Sequence, residues 1–338
     1  MQRRDFLKAA AVAGVGAAAT PNLLSQSQPS ASAAYASSSE MQYRQLGTTG
    51  EKVSAIGLGG YHIGIQSDAA ASVRLIRTAI DRGISFMDNS WDYNDGASEQ
   101  RMGDALKDGY RKKVLLMTKI DGRNRQSFNS QLEQSLKRLQ TDVIDLCQFH
   151  EIIRMEDPDR IFAKGGALEA AVEAKKVGKI RYIGFTGHKD PIIHLRTLEV
   201  AKQHDFHFDT VQMPINVMDA HFRSFAKQVI PVATEQGIGV LAMKVFGGRS
   251  ILQSKTVEPL DALRYALSQQ VSVVITGMDS MPILNQAFTA IKDFKPMTET
   301  QMAAVLARTR DAAMTGQYES FKTTARVDGT ARRPDWLG

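Results

Sequence analysis

From Val53 onward, short apolar runs alternate with longer segments whose apolar positions recur at helical spacing. The runs begin at Val53, Ser85, Val114, Val143, Ile180, Thr210, Gly239 and Val271. That is a beat of about thirty residues, the length of one strand, a crossover helix and their loops. Each run is continuously apolar rather than alternating, which suits parallel strands buried on both faces. Between the runs, Phe128, Leu132, Leu136 and Leu139 share one helical face, and Leu260, Leu263 and Leu267 share another. The segment TETQ (Thr298 to Gln301) has the form of a capping box and predicts a last helix running through Met314. Eight such units over about 240 residues predict one domain, a closed (β/α)8 TIM barrel. An open doubly wound sheet usually carries G-x-G-x-x-G after its first strand. Here GLGGYHIG (Gly57 to Gly64) has His62 where the third glycine would stand, and it reads as a tight turn at a strand end.

Residues 1–36 break this pattern. A basic start is followed by the weakly apolar run Ala9 to Ala19, too short to cross a bilayer. RRDFLK (Arg3 to Lys8) resembles a twin-arginine export signal. Ala33 and Ala36 each have an alanine two positions earlier, so either can precede the cleavage site. The expectation is a signal peptide and flexible linker over 1–36, the barrel over 41–315, and a C-terminal tail over 316–338. The protein is then periplasmic or exported, with the twin-arginine machinery as a partner and no stable membrane insertion. Such signals carry folded proteins, so a cofactor would be taken up before export.

Composition narrows the chemistry. The chain has 338 residues and a net charge of +6. Arg3, Arg4 and Lys8 against Asp5 supply +2 of that charge, leaving +4 dispersed over the rest. The densest basic run, EAKKVGKIR (Glu173 to Arg181), reads as a solvated helix end, and no concentrated stripe predicts a nucleic-acid surface. One cysteine, Cys147, excludes an intrachain disulfide framework and a cysteine metal site. His204 and His207 have no evident third ligand, so no metal is expected.

In a (β/α)8 barrel the chemistry sits at the C-terminal ends of the strands. The second strand ends in FMDNSWDYNDG (Phe86 to Gly96), which delivers Asp88 and, five residues on, Tyr93. The third, VLLMTKI, delivers Lys119, and the fourth, VIDLCQFH, delivers His150. Together they place an acid, a phenol, an ammonium and an imidazole around one rim.

At these residues the chain resembles the aldo-keto reductases, (β/α)8 barrels that use Asp, Tyr, Lys and His with a nicotinamide cofactor. DNSWDY, MTK and QFH match the family's strand ends, and the likeness extends through GKIRYIGFTGH (Gly178 to His188) and VQMPIN (Val211 to Asn216). The resemblance implies NAD(P)H-dependent reduction of an aldehyde or ketone, or the reverse oxidation, with Tyr93 as general acid. A protein of the same fold that holds the nicotinamide without turnover is the alternative. Free tyrosine has a pKa near 10. A cation at about 4 Å, at an effective dielectric near 20, is worth roughly 4 kcal/mol, enough to bring the phenol down by two to three units. Lys119 is placed to supply it, Asp88 keeps Lys119 charged, and a neutral His150 would orient the carbonyl. The resemblance also assigns Thr186 and Gln212 to the nicotinamide amide, with Gly187 where an asparagine is common. Phe246 would stack on the ring, with Lys244 and Arg249 near the pyrophosphate. After the eighth strand, Gly277 and Asp279 would face the adenosine end. TGMDSMPILNQ (Thr276 to Gln286) holds no basic residue for a 2′-phosphate. Family habit therefore favours NADP(H), and Asp279 favours NAD(H). Tyr61, His62, Trp91 and Asp92 would line the pocket for a small carbonyl substrate.

Overall fold

The computed structural model describes residues 35–338. The export signal read from residues 1–36 lies, except for Tyr35 and Ala36, outside the described residues. Eight parallel strands form a closed barrel: β3 (Ile56–Gly59), β4 (Phe86–Met87), β5 (Leu115–Ile120), β6 (Ile144–Phe149), β7 (Ile180–Thr186), β8 (Thr210–Pro214), β9 (Gly239–Met243) and β10 (Val273–Gly277). β10 pairs with both β9 and β3, which closes the ring. The first apolar run is split. Its opening residues form β2 (Lys52–Ser54), antiparallel to β1 (Tyr43–Gln45), and only Ile56–Gly59 enters the barrel. Ser54 and Ser85 exchange backbone-to-hydroxyl hydrogen bonds of 2.9 Å at the break.

The hairpin β1–β2 plugs the N-terminal end of the barrel. Leu46 and Val53 pack into the interior cluster of Phe86, Leu115, Met117, Leu146, Leu241, Val273 and Ile275. That layer fills the lower barrel and leaves the opposite rim for polar groups. The outer helices bury their apolar stripes on the other face of the strands. Helix Arg125–Leu139 inserts Phe128, Leu132, Leu136 and Leu139. Helix Glu299–Ala313 opens with the expected capping box, in which the Thr298 side chain accepts from Gln301 N–H and Gln301 accepts from Thr298 N–H.

The segment from Gly316, read as a tail, is built into the fold. Short helices Ser320–Thr323 and Gly329–Arg332 carry it past the loops after β8, β7 and β6. The turn Pro334–Leu337 then reaches the loops after β4 and β5. No apolar periodicity announces these pieces, because polar and ionic contacts hold them. Lys322 Nζ lies 2.8 Å from Asp219 Oδ1 and 3.1 Å from Glu319, all three buried. Lys322→Met would strand two carboxylates in the interior. It should cost about 3–5 kcal/mol. That is read as a lower denaturant midpoint at unchanged slope.

Candidate active site

Lys119 lies on β5 and points into the rim, 1% exposed. Its ammonium donates to Asp88 Oδ1 at 2.6 Å, to the Asn89 carbonyl at 2.6 Å and to the Tyr93 hydroxyl at 3.2 Å. An ammonium has three donors, and all three are used. The loop is shaped to allow this. Asp88 N–H donates to the Leu58 carbonyl, and Trp91 N–H donates to the carbonyl of Lys119 itself. The chain then turns between Ser90 and Tyr93, whose N–H donates to the Ser90 carbonyl at 3.2 Å, and the phenol lies over the lysine.

The phenol's acidity differs from expectation. Burial first, then the carboxylates of Asp88 and Asp92, hold the Tyr93 hydroxyl well above the usual tyrosine range. The effect of one ammonium is outweighed because the rim carries more acid than the sequence-based trio includes. Glu151 and Asp121 also face Tyr93. Tyr93 therefore rests protonated, and the Lys119 ammonium donates to its oxygen.

His150 follows β6, with its ring 6.0 Å from that of Tyr93 in an edge-on arrangement. Three oxygens surround its Nδ1: Asp121 Oδ1 at 3.0 Å, Ser90 Oγ at 3.3 Å and Asp92 Oδ1 at 3.4 Å. Ser90 Oγ itself donates to Asp92 at 2.5 Å. Burial pushes the Asp92 carboxyl up to about 6, with His150 opposing. Burial pulls His150 down, but Asp92 and Asp121 outweigh it and raise the imidazole above its ordinary value. The shift runs against the neutral His150 that the sequence suggested. Asp92, Asp121 and His150 bring three potential ligand atoms within 4.8 Å of one another. Both carboxylates face the same ring nitrogen, Asp121 at hydrogen-bond distance and Asp92 as a longer ion-pair contact.

The positions assigned to a nicotinamide amide fit it. Thr186 Oγ1 and Gln212 Oε1 are buried without a partner. Buried polar atoms usually find a partner, so these two oxygens are open to one. Gly187 is explained by close approach, since a Cβ there would strike the Ile152 carbonyl and the His194 ring. No asparagine fits that backbone.

The remaining assignments are dispersed. Phe246 is half-buried against the core. Lys244, at φ +57°, sets its ammonium 5.3 Å from the Phe321 ring, within the electrostatic reach of Glu151 and Lys119, rather than at the outer rim with Arg249. Arg249, 70% exposed, pairs with Asp279 at 2.7 Å. The loop after β10 thus gains a guanidinium from the loop after β9, which the local sequence does not reveal. Gly277 leaves room for the His62 ring. Tyr61 is half exposed and meets Tyr93 edge-on at 5.5 Å. Trp91 packs on Trp336 at 5.3 Å and donates to Gln134, while Asp92 turns to His150.

A model described as the Aldo/keto reductase family matches residues 55–262. The chain is 34% identical over 236 residues to aldo-keto reductase YhdN of Bacillus subtilis, covering 64% of this chain and 66% of that one, just under two thirds of its length. It is 32% identical over 228 residues to the uncharacterized oxidoreductase YrpG of the same organism, covering 62% of this chain and 67% of that one. Among solved structures, aldo-keto reductase AKR11C1 from Bacillus halodurans, in its holo form, has a TM-score of 0.67. It is 24% identical and covers 82% of this chain and 99% of that one, a likeness of fold.

Sequence reasoning missed Asp121 and Glu151, although each lies within two positions of a residue it singled out. It also missed Asp328, which pairs with His188 at 2.9 Å and with Lys189 at 2.8 Å. Glu151, buried and at φ +46°, accepts from Gly329 N–H at 2.8 Å and Thr330 N–H at 2.7 Å. This clamp ties the tail across the mouth. Glu151→Gln keeps one acceptor oxygen of two and loses the charge. Hydrogen bonds to charged groups are worth about 1.5–3 kcal/mol. Amide exchange at Gly329 and Thr330 should therefore accelerate by roughly tenfold or more, with global stability little changed.

Proposed function

Because the chain belongs to the aldo-keto reductase family, we propose that it reduces an aldehyde or ketone to the alcohol, or runs the reverse oxidation, with Tyr93 giving or taking the proton. The observation that carries this reading is the ammonium of Lys119 bonded at once to Asp88 and Tyr93 at the strand ends. When bound, a nicotinamide supplies or accepts the hydride. The chain's residues do the rest. Thr186 and Gln212 would hold the amide. As the carbonyl oxygen gains charge, Tyr93 passes it a proton and the Lys119 ammonium stabilises the resulting phenolate. NADP(H) and NAD(H) both remain compatible. Asp279 alone would repel a 2′-phosphate, but its pairing with Arg249 offsets that charge.

Export by the twin-arginine route is part of this proposal and rests on Arg3, Arg4 and the run that follows. Cleavage after Ala33 is favoured over Ala36, because the Tyr35 hydroxyl accepts from Arg181 at 3.1 Å and Ala36 N–H donates to the Lys113 carbonyl at 2.8 Å. The secreted chain should begin at Ala34 by intact mass; a chain beginning at Ser37 would contradict the choice of site.

The decisive assay strips and identifies any bound nucleotide, then screens carbonyl compounds for oxidation of the reduced form. Tyr93→Phe should lower turnover by about 10²–10⁴-fold, the range for a lost general acid. Its nucleotide dissociation constant should stay put. Unchanged turnover would remove Tyr93 from this role. Tight nucleotide binding with no carbonyl-dependent oxidation would make the protein a binder.

A further inference from the structure

We propose that Asp121 is a positioning residue for His150: it accepts the hydrogen bond from Nδ1–H, turns Nε2 toward the reacting oxygen, and so makes His150 a hydrogen-bond donor in its cationic form. The inference rests on the proposed carbonyl chemistry and adds to it a residue outside the Asp–Tyr–Lys–His set.

The geometry leads there in three steps. First, an imidazole has two nitrogens, and a neutral ring carries one proton. Asp121 Oδ1 is the nearest oxygen to Nδ1, at 3.0 Å, and a carboxylate can only accept. The proton of a neutral ring would thus sit on Nδ1, leaving Nε2 bare and unable to donate to a carbonyl oxygen. Nε2 has no hydrogen bond to a described residue. Donation from Nε2 requires the second proton.

Second, Asp121 needs a cation. It is fully buried, its Oδ2 has no partner, and Oδ1 has His150 alone. Arg123 bypasses the carboxylate, giving its guanidinium protons to the carbonyls of Asp121, His150 and Glu151 and to Asp157. A buried charge without a counterion is costly, and an imidazolium is the neighbour able to supply one.

Third, the surroundings agree. Asp92 and Tyr93 face His150 from the loop after β4, Asp121 from the end of β5 with Lys119 beyond Tyr93, and Glu151 from its own loop. Further out lie Lys244 and His188, the latter kept below its ordinary value by burial. The carboxylates outweigh the amines, and the imidazole is raised. A raised imidazole is charged at low pH and loses the charge as pH climbs through its shifted value. Donor function is therefore present on the acid side and lost on the alkaline side.

The test uses the full chain and two readouts. Imidazole NMR, with His150 assigned by its loss in His150→Gln, should show a cation at neutral pH. In Asp121→Asn the variant's amide oxygen still accepts from Nδ1, so the ring orientation is kept while the charge is lost. The His150 titration should fall by about one unit or more, equivalent to one neighbouring charge. The alkaline limb of kcat/KM for a reducible carbonyl should fall with it, nucleotide binding being unchanged. An unmoved His150 titration overturns the proposal. So does a uniform loss of turnover at every pH with the limb in place, since that is what a merely structural residue would give. If no carbonyl is reduced at all, the proposed function fails while the NMR result still judges Asp121.

Discussion

A lysine buried in the mouth of a barrel is the constraint from which the site follows. Lys119 is nearly inaccessible to water, and an ammonium there must spend each donor on an acceptor. Asp88, the Asn89 carbonyl and the Tyr93 hydroxyl meet that demand, and all three come from one loop. The loop is accordingly bent back on the strand that carries the lysine, through the Trp91 and Tyr93 N–H groups. The phenol's place at the centre is a consequence of satisfying the cation.

The second feature is an excess of buried acid. Asp88, Asp121 and Glu151, with the partly buried Asp92, share a rim in which Lys119 is already committed. These acids are balanced in different ways: Asp88 by Lys119, Asp121 by His150, and Glu151 by the backbone N–H groups of the tail. Asp92, pushed up to about 6, is the one poised between charge states. Burial together with the same acids keeps Tyr93 protonated, and the acids raise His150 against the effect of burial. The closing segment is tied in by charge from Lys322 through Asp328 to Glu151, with Phe321, Trp336 and Leu337 as separate apolar anchors and no continuous apolar face.

Most of the barrel was legible because its signal is local and periodic. Continuous apolar runs at Val114, Val143 and Ile180 became β5, β6 and β7, and the helical face of Phe128 to Leu139 packs as its spacing implied. Lys119 and His150 were legible for the same reason, as polar residues ending such runs. What was not legible depends on contacts remote in sequence. The first run split because its early residues pair with Tyr43–Gln45. The tail carries no periodicity, and its partners lie some hundred or more residues away. Arg249 reaching Asp279 is likewise a tertiary event. The acidity of Tyr93 was misjudged because a pairwise sum over Asp88 and Lys119 omitted first the burial of the phenol and then Asp92, Glu151 and Asp121, which only the fold brings near.

The most direct measurement is a double-substitution cycle on the ion pair, read as unfolding free energy. Asp88→Asn and Lys119→Met each leave one buried partner without its counterpart, and each should cost about 3–5 kcal/mol. The doubly substituted chain should lose little more than either alone, a coupling of several kcal/mol. Losses that simply add would mean that the ammonium and the carboxylate are held independently, and the account of the site built on their contact would be wrong.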